Sequence, residues 1–164
     1  YDREINCRRA AAAAVQEHVG RQGTFPNGIE VVTLADYWTL SARRNAYLVV
    51  APQLAALGSY RQSLIDHLVD RKLQHHDVQI RVLTGQALAR LYEDPSEATT
   101  QHLNTAVLPR LLARATDSSA GGAAPAAATS AGTATAAGAV HVRHGAVVGV
   151  AALVAAAHAG VTVE

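Results

Sequence analysis

The chain has 164 residues, enough for one ordinary domain or for a few repeats of an elongated one. Its net charge of +1 gives no general attraction to nucleic acid or to an anionic membrane. Thirteen of its fourteen basic residues are arginine, Lys72 being the other, and a single cysteine, Cys7, excludes an internal disulfide framework and suits a reducing, intracellular compartment.

The chain holds no methionine, and its first residues read as a helix start with no signal peptide before them, as expected of an internal piece of a longer protein. Residues 6–28, "NCRRAAAAAVQEHVGRQGTFPNG", predict a helix that stops with Gly20 as its C-cap, then a turn at Phe25 and Pro26. Asp36, Tyr37 and Trp38 fall at the next helix and are candidates for an exposed amphipathic patch. Gly58 ends the segment before it, and Ser59 with Gln62 has the spacing of a capping box. In 60–74, Tyr60, Leu64, Ile65, Leu68 and Val69 share one helical face.

In 100–115 a similar stripe comprises Leu103, Val107, Leu108, Leu111 and Leu112, and Pro109 is expected to kink the helix or mark its real start. From 117 to 139 the text becomes "DSSAGGAAPAAATSAGTATAAGA", with no charge after Asp117 and no large apolar residue, which predicts a flexible surface insertion. The most apolar run, "GAVVGVAALVAAA" at 145–157, falls short of the roughly 20 residues that span a bilayer and reads as a buried helix. Strand signals are weak throughout, since aromatics and alternation are scarce.

Arginines supply a period. Arg8, Arg44 and Arg81 lie 36 and 37 residues apart, and Arg143 follows 62 later, or 39 once the 23-residue insertion is removed. Each is followed by small or apolar residues at +4 and +7. A period near 36 to 40 with two helices per unit is the mark of an α-solenoid of the HEAT or armadillo kind, in which neighbours stack because one helix pair cannot cover both its apolar faces. The expected fold is therefore all-α: repeats over 1–116, the insertion at 117–139, and the array resuming over 140–164. The four arginines serve as structural repeat anchors.

The chemistry-bearing motifs are sparse. His75, His76 and Asp77, with His67 eight positions back, read as a solvated turn between helices, since adjacent ligands on a helix diverge. His141 and His144 share a helical face but lack a third ligand. The glycines of "VGRQGTFPNG" match neither phosphate-loop nor dinucleotide fingerprints, because no strand precedes them and no lysine-serine pair follows. No nucleophile sits at a strained turn. No catalytic residue, cofactor or metal is expected. The paired arginines Arg8, Arg9, Arg43 and Arg44 lack an aromatic stacking platform in the sequence and read as helix-pairing or solvated groups, without nucleic acid as partner.

The long run from Tyr1 to Ala51 resembles the central part of the tubulin-specific chaperone D family, also called tubulin-folding cofactor D. "INCRRAA", "VGRQGTFP" and "IDHLV" are its most specific stretches, and the likeness continues through "YRQSLIDHLVDRKLQHHDVQIRVLTGQAL", "VLPRLLARAT" and "VRHGAVVGVA". The chain departs from the family in two places: His75-His76-Asp77 stands where the family tends to carry His-Trp-Asp, and the 117–139 insertion replaces a short turn.

The resemblance implies a cytoplasmic HEAT and armadillo-like scaffold associated with the microtubule cytoskeleton. It implies β-tubulin, the other tubulin-folding cofactors and an Arf-like small GTPase as partners, and a share in assembling or dismantling the αβ-tubulin dimer while GTP hydrolysis by tubulin is stimulated. Candidate partner-binding residues are Arg21, Gln22 and Phe25 in the family-specific turn, and Asp36, Tyr37 and Trp38 beyond it. A generic solenoid adaptor of the nuclear-transport or phosphatase-scaffold type is the rival reading, and a metal hydrolase built on the histidines a third. The sequence expectation includes no membrane span.

Overall fold

The computed structural model describes residues 1–93, 96–117 and 130–161, the side chains of 130–137 and 159–161 excepted. The described residues are mostly helical, with no strand among them. Its fold class is all-α, that of an α-solenoid of helical repeats. Two compact units divide it, Tyr1–Asp66 and the remainder from His67.

In the first unit, α1 (Ile5–Gln22) leads by a short turn to α2 (Gly28–Leu34). The alanine run of α1 is the best helix-forming text available, and α2 packs on α1 where Gly28 meets Val19, a Cβ there falling 2.8 Å from Val19 Cγ1. The helix continues through Gly20 and stops instead at Gly23, whose φ of 64° closes the C-cap with its N–H on the Val19 carbonyl. Gly20 itself sits inside the last turn with open space around its Cα. After a loop, α3 runs over 43–56 as Arg43–Asn45, a wide π turn Ala46–Val50, and Ala51–Ala56. Gly58, with a φ of 77°, ends it. Ala46, Tyr47, Leu48, Val50, Ala51 and Ala55 of α3 are buried with Val19 and Val31, and the Tyr47 hydroxyl donates to the Tyr1 carbonyl at 2.8 Å. α4 (Arg61–His67) adds the buried Ile65. The Gln62 side chain donates to Asp66 one turn on, at 2.9 Å, so it does not reach back to close a box with Ser59.

The second unit opens with a π turn, Leu68–Lys72, followed by α5 (Val78–Leu91). Asp77 caps α5 by accepting from the Gln79 N–H, and Ser96 caps the next helix through Thr99. That helix, α6, spans 97–116 as Glu97–His102, a π turn Leu103–Val107, and Leu108–Thr116. Pro109 therefore stands in the first turn of the α-helical segment Leu108–Thr116, the start expected of it, and the π turn before it keeps the rod unbroken. The wider turn just before it shifts the carbonyl its ring would strike, and the chain stays helical through it. Pro52 follows the π turn of α3 at the same offset.

The last helix, α7 (Ser130–Val161), begins inside the stretch assigned to the insertion, since alanine outweighs Gly132 and Gly138 in setting the backbone. Residues 118–129 of the expected insertion lie outside the described residues. α7 packs on both α5 and α6, and Leu68, Val69, Leu73, Ile80, Leu88, Val107, Leu111, Ala146 and Leu153 form the core they enclose. Each of the larger of these side chains contributes about 1.5–3 kcal/mol by leaving water. Glycines make the approach possible. A Cβ on Gly145 would lie 1.6 Å from the Leu73 carbonyl oxygen, and one on Gly85 3.1 Å from Val148 Cγ1. Asp70 ties α6 to the opening turn, accepting from Arg114 at 2.7 Å and Arg110 at 3.2 Å. By length and composition Gly138–His158 is apolar enough to cross a membrane, which 145–157 taken alone is not, and the helix's extension to both sides makes the difference.

Candidate partner-binding surface

The six candidate residues fall into two arrangements, both in the first unit. Arg21 and Gln22 are exposed on the last turn of α1, and Arg21 pairs with Glu17 one turn back. Phe25 is half-buried in the turn that follows. Its ring stacks on Tyr60, with centroids 6.3 Å apart and planes at 13°, and meets His18 edge-on at 5.7 Å. The Tyr60 hydroxyl donates to the Pro26 carbonyl. The family-specific turn is thus pinned from α1 on one side and from the segment before α4 on the other. Phe25 spends much of its surface on that packing.

The second arrangement is more open. Residues 35–42 join α2 to α3, and Trp38 there is 76% exposed and Tyr37 46%. Their rings meet edge to face, 5.6 Å apart at 82°. Exposed aromatics on a connecting loop would ordinarily be loose, but this loop is fastened at each residue from Asp36 to Ser41. Asp36 Oδ1 accepts from the N–H groups of Trp38 and Thr39, each at 2.7 Å. Those two bonds, that from Thr39 first, hold the Asp36 carboxyl below the usual carboxylate range. Asn45 reaches back from α3 to the Thr39 carbonyl at 2.7 Å, and the Ser41 hydroxyl donates to the Tyr37 carbonyl at 2.8 Å.

Two arginines of α1 complete the fastening. Arg8 is buried, donating from Nε to the Leu40 carbonyl at 2.7 Å and from Nη2 to that of Ser41 at 2.6 Å. Its Nη1 serves the carbonyls of Asp2 and Arg3, both at 2.9 Å. Burial, with Arg43 alongside, holds its pKa below that of an ordinary arginine. Arg9 donates to the Ser41 hydroxyl from Nε and Nη2, and its guanidinium carbon lies 4.3 Å over the Tyr37 ring. An aromatic does therefore accompany the paired arginines, because the loop folds back over α1 and carries Tyr37 with it. The surface is preorganised: a partner meeting Trp38 would not have to pay for ordering the loop.

The four anchor arginines stand in two ways. Arg81 resembles Arg8, buried and donating from Nη1 to the His75 and His76 carbonyls at 2.5 and 2.9 Å, and from Nε to His144 Nδ1 at 3.0 Å. Arg44 is exposed and has no partner among the described residues, since α3 starts after Ala42 and Ala46 holds the place that Arg8 has in α1. Arg143 lies mid-helix, because α7 starts at Ser130, and donates to the Asp117 carbonyl. Arg9, Ser41 and Asn45 were not singled out as site residues in the sequence. Only the RR pair hinted at Arg9.

The His75 and His76 rings stack 4.2 Å apart, and among the described residues no three His, Cys, Asp or Glu side chains gather as a metal would require. What the geometry offers is a presented aromatic pair with cations beside it, suited to contact.

Comparison with known proteins bears on what is contacted. The family described as tubulin-specific chaperone D-like, ARM repeats, matches residues 1–29. A protein of Dictyostelium discoideum named tubulin-specific chaperone D is 39% identical over 106 residues, 63% of this chain and 7% of that protein. One of Schizosaccharomyces pombe named tubulin-folding cofactor D is 32% identical over 91 residues, 56% of this chain and 8% of that protein. The chain thus spans less than a tenth of the length of these curated relatives. No solved structure matches. Over the greater part of its length the chain is a homologue of proteins named tubulin-specific chaperone D and tubulin-folding cofactor D.

Proposed function

We propose that this chain is a segment of a non-catalytic tubulin-folding scaffold, and that the loop at 36–42 is one of its contact surfaces. The observation that carries the reading is the 39% identity over 106 residues to a protein named tubulin-specific chaperone D. Supporting it, Trp38 is exposed on a loop tied down by a buried arginine, the arrangement of a binding hot spot. The scaffold binds β-tubulin and takes part in assembling and dismantling the αβ dimer. It supports GTP hydrolysis by tubulin together with the other folding cofactors and an Arf-like small GTPase, in the cytoplasm and at the microtubule cytoskeleton.

The test is capture of αβ-tubulin by the immobilised full chain at micromolar concentration, with Trp38→Ala beside it. Retention by the parent chain and clear loss in the variant is the expected result. No tubulin retained by either, with capture instead of an extended transport or phosphatase-type peptide, would support the generic adaptor.

A further inference from the structure

Four arginines stand on the elements that border the loop at 36–42, Arg8 and Arg9 in α1 and Arg43 and Arg44 at the start of α3, and among the described residues none of them hydrogen-bonds or ion-pairs with a carboxylate. Arg8 is committed to four backbone carbonyls, and Arg9 to a hydroxyl and the face of Tyr37. Arg43 donates to the Arg3 carbonyl, and Arg44 is exposed, without a partner among the described residues. The acids nearby are occupied. Asp2 and Glu4 favour the Arg8 charge through space, yet Asp2 accepts from the Glu4 N–H and Glu4 pairs with Arg3. Asp36, the acid of the loop itself, is used on the N–H groups of Trp38 and Thr39. Arginines whose charges are not bonded to a carboxylate among the described residues thus border the loop that carries an exposed indole.

We propose that this face docks an acidic segment of a partner protein, a stretch with two or more carboxylates around one bulky apolar side chain. Guanidinium forks match carboxylates in plane and charge; Arg8 is buried and spent on backbone carbonyls, but Arg9, Arg43 and Arg44 bond to no carboxylate among the described residues. Trp38 supplies the apolar anchor that turns attraction into register. Single-stranded nucleic acid is the poorer fit. Tyr37 and Trp38 meet at 82°, so they offer no parallel faces to successive bases, and Arg9 already covers one face of Tyr37. The location rests on the partner-binding reading above, but the chemistry is independent of tubulin.

The full chain is titrated into a labelled peptide of glutamates around a central phenylalanine, followed by fluorescence anisotropy. The controls are the same peptide with lysine for glutamate, and an oligouridylate. The expected result is binding of the acidic peptide alone, weakening several-fold as salt rises from about 50 to 200 mM. Trp38→Ala and Arg44→Glu should each lower affinity roughly five- to tenfold with an unchanged melting temperature, since both side chains are exposed, and Arg44→Glu should gain affinity for the lysine peptide. Equal binding of the lysine peptide, tighter binding of the oligouridylate, or no effect of Trp38→Ala would overturn the proposal. A chain that holds the acidic peptide but not tubulin keeps this proposal and sinks the functional reading; one that holds tubulin but not the peptide does the reverse.

Discussion

Arg8 and Arg81 close their helices in the same way. Each follows an N-cap in extended conformation, Glu4 or Asp77, and turns Nη1 back onto the carbonyls five and six residues before it. Each then uses Nε on a more distant element of its own unit, the Leu40 carbonyl in one case and His144 Nδ1 in the other. One buried cation thereby satisfies the entry to a helix and holds a second element against it.

Replacing Arg8 by alanine leaves four carbonyls short of a donor and should cost about 2–4 kcal/mol, read from the urea midpoint. Lysine at the same place recovers only part, having no planar fork to reach two pairs of oxygens. Alanine at the exposed Arg44 should stay within about 0.5 kcal/mol of the parent. Equal effects at Arg8 and Arg44 would refute the distinction.

Gly145→Ala should be among the most damaging single changes, since the new methyl would enter the Leu73 carbonyl and force α7 away. A loss of about 3 kcal/mol or more is expected. Gly138→Ala, in the same helix with open space around it, should instead stabilise by about 0.5–1 kcal/mol. Thermal melts of the two variants side by side decide it.

Trp38→Ala should leave stability within about 0.5 kcal/mol while removing about 1–1.4 kcal/mol from partner binding, because the indole is 76% exposed. A large drop in melting temperature would show that the ring is structural after all.

Acid should loosen the loop through Asp36. Its carboxyl is held below the ordinary carboxylate range by the Thr39 and Trp38 N–H groups, so the folded state prefers the charged form. The contribution is complete above the ordinary range and is lost as pH falls through the lowered value. Trp38 fluorescence should report a transition there, at a lower pH than a free aspartate would give. Asp36→Ala should abolish that step.

Helix was legible in the sequence because apolar residues recur at three and four, and the stripes at 60–74 and 100–115 do supply buried Ile65, Leu68, Val69, Val107 and Leu111. The exact stops were less so. Gly20 and Gly23 look alike in text, and only the Val19 carbonyl decides which closes the helix. Spacing placed Arg44 and Arg143 in one row with Arg8 and Arg81, whereas their positions relative to a helix start differ, and that start is set by Ala42 and Ser130. At the candidate surface, Tyr37 and Trp38 stood out as rare aromatics. Nothing in a linear reading could show that Arg9, twenty-eight positions before Tyr37, would cover its ring.

The π turns ahead of Pro52 and Pro109 have a consequence for how the helices are phased. A π turn carries one residue more than the α turn it replaces, so everything beyond it is rotated by about 100°. In α3 the neighbours of Val49 are buried while Val49 itself is 46% exposed. A strict 3.6-residue count run across this point loses its place, and a deletion of one residue would do the opposite, straightening the count but turning Ala51 and Ala55 away from the core they fill. The proline, with no N–H to give to a regular turn, helps keep the helix from winding back. Each such helix is in effect two faces on one axle, offset by a single inserted residue, so that one rod can serve two different sets of neighbours.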